Sequence, residues 1–248
     1  MILERFNDAA KRGVYSLQEF FVLAGKALGF IFVKPFYASD LFQQMDAIGV
    51  GSLGIVLLTG FFTGMVLALQ SSVQLQTFGA SDYIGRLIAG SGIAAQLGSM
   101  RVTEQIDALN TLGTDPIKKL VTPRVLAALV MLPVLTIIND FIGILGGNVI
   151  ARFYLGKPSA LYWKTVFEQM LAGGFTLHYI PNDFIQGLVK PFVFGGIISL
   201  VACYYGLKTT GGTEGVGIST TRTVVTASIL ILVVDYFLTQ ILLSIFPQ

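Results

Sequence analysis

An all-α, polytopic integral membrane protein is the fold class this sequence predicts, with an N-terminal interfacial region over residues 1–45 and a transmembrane domain over 46–248. Composition carries the first argument. Of 248 residues, 54% are hydrophobic and only 12% charged, and mean hydropathy is +0.74, where an ordinary soluble domain carries about 25% charged residues. The second argument is a set of long apolar runs, each nearly free of charge, that match the ~20 residues needed to cross a hydrocarbon core. The third is an opening segment whose apolar residues recur at helical spacing among charged ones.

In that opening segment Leu3, Phe6, Ala10, Val14, Leu17, Phe21 and Ala24 share one helical face, while Glu4, Arg5, Asp8, Lys11, Arg12, Tyr15 and Glu19 fall elsewhere. Such a helix lies in a membrane interface or packs on another subunit, and its amphipathicity fits both. Charges interrupt it and no small-residue cleavage site follows, so it does not read as a secretory signal and the N-terminus is expected to be retained. No charge falls between Asp46 and Asp82, and residues 47–69, "AIGVGSLGIVLLTGFFTGMVLAL", form the first confident span. Residues 125–151 form the next, interrupted by Asp140 and by Pro133, which a membrane helix tolerates with a kink. Residues 187–207 follow, with Lys190 near one end where it can snorkel, and residues 224–246 carry Asp235.

Lysine and arginine set the expected orientation. The segments 1–46, 101–124 and 208–223 hold five, four and two of them, against three in the 36 residues of 152–187. The N-terminus, the 101–124 island and the 208–223 loop are therefore expected in the cytoplasm, with 152–187 and the C-terminus outside. That arrangement needs a return crossing before residue 101, for which only "LIAGSGIAAQLGSM", residues 87–100, is available. Fourteen helical residues reach about 21 Å, short of the ~30 Å core.

The island itself, "TEQIDALNTLGTDPIKKLVTPR", residues 103–124, is rich in helix signals. Thr103 caps a helix whose first turn carries Glu104 and Asp107 at the positive end of the dipole. Ile106, Leu109 and Leu112 share a face and Gly113 stops it. Asp115 with Pro116 restarts a helix, and Thr122 with Pro123 repeats the signal before the next span. A helix polar on one side and apolar on the other, held between two spans, suits docking in a groove of a soluble partner; the plainer alternative is a solvated connecting loop.

Other chemistries find little material. A net charge of +2 without a basic stripe excludes nucleic acid as a partner. One cysteine, Cys203, and one histidine, His178, make neither a disulfide nor a metal-ligand cluster. His178, Asp183 and Glu168 sit in the outer connection without an arguable nucleophile, which fits a surface loop contacting a partner. Asp140 and Asp235 are costly within a membrane unless paired, protonated or wet. They line a head-group or proton path, or they hydrogen-bond between helices to neighbours such as Thr136, Asn139, Thr239 or Gln240. Gly60 with Gly64, and Gly143 with Gly146 and Gly147, allow close helix packing. A sharper alternative has Phe61, Met65, Leu69 and Gln70 lining a cavity at a dimer interface, with Tyr236 added from the last span.

The stretch "GSGIAAQLGSMRVTEQIDALNTLGTDPIKKLVTPRVLA" resembles the signature of the MlaE/YrbE family of permeases, the membrane subunits of ABC-type lipid transporters associated with MCE proteins. "GVGISTTRTVVTASILILVVDYFLTQIL" (215–242) and "GFFTGMVLALQ" (60–70) are similar to that family's last and first spans. The resemblance covers roughly residues 45–246 in order. It implies a five-span fold and a homodimeric permease in the bacterial inner membrane that moves phospholipids. The helix with Glu104, Gln105, Ile106, Asp107, Leu109 and Leu112, followed by Asp115 and Pro116, would be the coupling helix seated in an ATP-binding subunit. ATP and Mg would belong to that subunit, with no cofactor on this chain, in keeping with the absence of a GxxxxGK[ST] phosphate loop. A periplasmic MCE-domain protein, as a hexameric ring, and a small STAS-domain protein are the other implied partners. The family is associated with outer-membrane lipid maintenance and with uptake of exogenous lipid or sterol.

One departure coincides with the short return crossing. About twenty residues of the form "LVRELGPVLTxLxxAGR" are expected before "GSGIAA", yet here Ala89 runs directly into Gly90, so a piece of the second span is expected to be missing. Two rivals remain: a proton-coupled carrier of lipid-like substrates titrating Asp140 and Asp235, though no internal repeat accompanies them, and a membrane enzyme of lipid metabolism, for which one histidine is poor material.

Overall fold

The computed structural model describes residues 2–73, 114–154, 156, 158–172, 175–176 and 180–245. Six helices make up nearly all of it: α1 (Ile2–Gly29), α2 (Ala38–Val73), α3 (Thr122–Phe153), α4 (Ser159–Ala172), α5 (Asn182–Leu207) and α6 (Gly212–Ile245). A two-residue antiparallel pair, Phe175–Thr176 with Ile180–Pro181, leads into α5. Five stretches among the described residues are long and apolar enough to span a membrane. Four are the expected runs, and the fifth is Gly13–Phe32, most of α1 and the 3-10 turn after it, at a hydropathy of 1.2 against 1.7–2.2 for the others. The chain is thus an all-α polytopic membrane protein, as its composition predicts.

The spans are longer than the apolar runs alone define. α2 begins at Ala38, so it passes through residue 45 without a break, and α6 begins at Gly212, so the connection expected over 208–223 is a turn of only a few residues. At 1.5 Å per residue, α2 and α6 each exceed about 50 Å, well beyond a ~30 Å core, and their ends stand out of it. The outer connection differs from expectation in the same direction: most of 159–186 is helix or strand pair, not loop. His178 lies outside the described residues, as do the side chains of Glu168 and Asp183.

α2 packs along α3, α3 on α5, and α5 on α6, giving a row of four neighbours. α2 and α3 run parallel. Asp40 near the start of α2 pairs with Lys119 just before α3, Gly60 meets Asn139, and Gly64 meets Gly143 at the other end. Val73 and Thr114 therefore lie at opposite ends of the bundle. The return crossing expected in 87–100 is outside the described residues. The core centres on α3, the turn before it and α5, where Val121, Val125, Ala128, Phe194, Ile198, Val201 and Cys203 are almost fully buried.

α1 lies against this row through Leu23 and Ala27, both buried in the core. Val14, Leu17, Phe21 and Leu28 are left exposed at helical spacing, an unburied apolar stripe of the kind a membrane interface covers. The small-residue face of α6, Gly215, Ser219, Thr223 and Ala227, is buried and repeats every four residues, which lets two backbones approach closely.

Candidate functional site

Two regions hold the residues that sequence reasoning singled out. The first is the end of the polar island. Residues 104–112, with Glu104, Gln105, Ile106, Asp107, Leu109 and Leu112, lie outside the described residues. Asp115 and Pro116 are described and act as expected: the Asp115 carboxylate accepts a hydrogen bond from the Ile117 N–H at 2.8 Å, and Pro116 opens a helical turn. The repeat of that signal at Thr122–Pro123 falls at the entry to α3, as expected, but with no break before it. A π turn, Ile117–Val121, runs straight into α3, and the Thr122 N–H reaches back five residues to the Ile117 carbonyl. Proline has no N–H to offer the turn before it, and the wider π turn carries the helix past that missing bond.

Long-range contacts tie this junction to the N-terminal half. Lys118 Nζ donates to the Lys34 carbonyl at 2.7 Å, and Lys119 pairs with Asp40 while lying 4.3 Å over the Tyr37 ring. Thr122 donates to the Ala27 carbonyl at 3.3 Å, and the buried Arg124 guanidinium to the Leu120 carbonyl at 2.7 Å. Sequence reasoning missed these contacts, because nothing in a local pattern pairs position 40 with position 119.

The second region is polar and lies inside the row of spans. Asp235 on α6 forms an ion pair at 3.0 Å with Lys190 on α5, and Lys190 also donates to Thr239 Oγ1 at 2.9 Å. Thr239 is thus engaged, but through the lysine and not through Asp235. Lys190 is a partner across the helix pair as well as a residue near the end of its span. The available signal was one cation and one anion on consecutive apolar helices joined by a short turn. Asp140 takes a different position, on the exposed side of α3 beside Phe141.

The remaining residues occupy the two edges of the row. Phe61, Met65 and Leu69 are half-buried on α2, and the Gln70 side chain is outside the described residues. Tyr236 is 62% exposed on α6. α2 and α6 are not packing neighbours, so these two sets do not meet within one chain. Between α2 and α3 the glycines pack as expected. A methyl group at Gly64 would run into the Gly143 backbone, one at Gly146 into the Phe61 carbonyl, and one at Gly60 would sit 2.8 Å from Asn139 Oδ1. Among the described residues no three His, Cys, Asp or Glu side chains gather as a metal site.

Comparison with known proteins completes this picture. The family "Permease MlaE" matches residues 41–89 and 87–241, two blocks that meet where Ala89 runs into Gly90. A "Probable ABC transporter permease protein" of Rickettsia felis is 38% identical over 269 aligned positions, covering 99% of this chain and 100% of that protein. Since this chain has 248 residues, that alignment holds about twenty positions with no counterpart here. The "Intermembrane phospholipid transport system permease protein MlaE" of Haemophilus influenzae is 32% identical, covering 90% and 89% of the two chains. "Protein TRIGALACTOSYLDIACYLGLYCEROL 1, chloroplastic" of Arabidopsis thaliana is 33% identical, with 88% and 66% covered. With most of its length matched in order, the chain belongs to the MlaE permease family.

Proposed function

We propose that this chain is the membrane-spanning half of an ATP-driven phospholipid transporter in a bacterial inner membrane, with its N-terminus in the cytoplasm. Two copies form the lipid path, and ATP and Mg bind a separate ATP-binding subunit. A periplasmic MCE-domain ring exchanges lipid with the path, and a STAS-domain protein sits on the ATPase. The relatives named as ABC permeases and as a phospholipid transport permease support this assignment.

The observation that carries it is the bracing of the island's C-terminal end. A partner that seats on residues 104–112 would push toward Asp115 and the π turn, which runs straight into α3. Through Lys119–Asp40 the same push reaches the start of α2. α2 and α3 interlock through glycines, so they move as one unit, and a nucleotide-driven closure of the partner would rock that unit relative to its copy. Phe61, Met65, Leu69 and Gln70 from α2, and Tyr236 from α6, would then line a cavity completed between two copies. The Asp235–Lys190 pair offers a zwitterionic head group matching charges within an apolar wall.

Affinity purification of the tagged full-length protein in mild detergent tests the proposal, with mass spectrometry of subunits and lipid beside a Glu104→Lys, Asp107→Lys variant. An ATPase and an MCE protein should co-purify with phospholipid, and the variant should lose the ATPase alone. A chain that purifies by itself and moves lipid without ATP would instead be the proton-coupled carrier.

A further inference from the structure

Between α1 and the end of α5 lies a cleft of about 380 Å³, walled by Val22 and Leu23 of α1, Ile117 of the π turn, and Leu207. Its polar end is the ion pair of Glu19 and Lys208. Leu23 is buried at the back, while the two charged side chains remain 57% and 45% exposed, so the pair stands at the mouth. Lys208 also donates to Tyr204 Oη at 2.9 Å and lies 4.5 Å over that ring, and Tyr204 donates in turn to the Ser16 carbonyl at 3.2 Å. An ammonium has three N–H donors, and Glu19 and Tyr204 account for two. The exposed stripe Val14, Leu17 and Phe21 lies on the same helix.

One cation and one anion above an apolar slot select their occupant. A soluble anion gains nothing from four apolar walls, and a purely anionic head group meets the like charge of Glu19. A group with a phosphate and an ammonium satisfies both side chains, each through charge-assisted bonds, and its tail fills the slot. We infer that the α1–α5 cleft binds one zwitterionic phospholipid, its phosphate on Lys208, its ammonium on Glu19, and an acyl chain along Val22, Leu23, Ile117 and Leu207. This site lies outside the path proposed above and stands whether or not the chain transports lipid. Because Ile117 belongs to the turn after the island, the bound lipid braces that junction from the α1 side.

Photolabelling of the full-length protein in phosphatidylglycerol nanodiscs tests this, with a phosphatidylethanolamine probe carrying a diazirine in its acyl chain. Peptides holding Val22, Leu23 and Leu207 should be labelled well above the exposed Ile229 and Leu232 of α6, and a phosphatidylglycerol probe should show no such preference. Lys208→Gln should lower the cleft labelling about fivefold to tenfold, the loss of one charge-assisted bond, and Lys208→Arg should retain it. Glu19→Gln, which leaves the Tyr204 contacts in place, should bring the two probes to parity. Equal labelling of the cleft and the α6 face, indifference to the head group in the wild-type protein, or indifference to Lys208→Gln would each overturn the assignment.

Discussion

Asp235 carries a carboxylate into a span whose most apolar stretch has a mean hydropathy of 2.1, and Lys190 is what makes that position tolerable. Both side chains keep about 30% exposure, so the pair is neither fully desolvated nor fully screened, and its net worth is modest. Breaking it is another matter, because the surviving charge stays in an apolar wall. Lys190→Met or Asp235→Leu alone should each destabilise the protein by about 1–3 kcal/mol, and the double replacement should recover most of that loss, as thermal unfolding in detergent would measure. A double variant no better than the singles would show that the two residues do not depend on each other. Lys208, outside the spans, gives a pH test. Burial works against its charge, but bonds to Glu19 and Tyr204 outweigh that and hold its pKa above the ordinary lysine value of 10.5. A raised folded-state pKa contributes stability that is fully present below 10.5 and disappears as pH rises through the higher folded value. The stability gap between wild type and Lys208→Gln should therefore be constant across neutral and mildly alkaline pH and close only above it.

Helix α2 shows what an element adds to its residues. Its apolar run was plain in the sequence, and so was the spacing of Gly60 and Gly64, but the partner face was not, because a stripe of small residues says that something comes close without saying what. The structure supplies Asn139, Gly143 and Gly146 of α3, and it makes the glycines unequal. A methyl group at Gly64 collides with the Gly143 backbone, which cannot yield, whereas one at Gly143 finds its nearest neighbour, the Gly60 carbonyl, at 3.4 Å. Gly64→Ala should then cost about 1–3 kcal/mol by overpacking and Gly143→Ala less than about 1, read as the shift in unfolding temperature. Equal costs would mean that α2 presents a different face to α3. The helix ends were legible to unequal degrees for a physical reason. Asp115 and Pro116 act locally, so their signal held. Thr122 and Pro123 carry the same local chemistry and fall at the start of α3 as expected, but there the π turn and the packing of Val121 and Val125 in the core leave no break between the turn and the span.

At the scale of the molecule, the topology follows from which ends lie together. Asp40 beside Lys119 and Glu19 beside Lys208 place the starts of α2, α3 and α6 and the end of α5 at one end of the bundle, and the turn after Phe153 with α4 at the other. The count of lysines and arginines grouped the same segments from sequence alone, because charge beside a span is a local property that survives without knowledge of packing. It also demanded a return between the first two full spans, and the parallel run of α2 and α3 makes the same demand on the described ends, Val73 and Thr114. Single cysteines in a Cys203→Ala background test the whole arrangement, since the native thiol is fully buried and its loss removes the chain's only cysteine. Asn7→Cys, Ala160→Cys and Thr213→Cys occupy exposed positions. In right-side-out vesicles an impermeant maleimide should label Ala160→Cys at once, and Asn7→Cys and Thr213→Cys only after the membrane is opened. The inverse pattern would keep the fold and reverse its orientation, so that the lysine and arginine bias had misled. Labelling of Ala160→Cys and Thr213→Cys from the same side would deny that α5 crosses the membrane, and with it the pairing of Lys190 and Asp235 within a span.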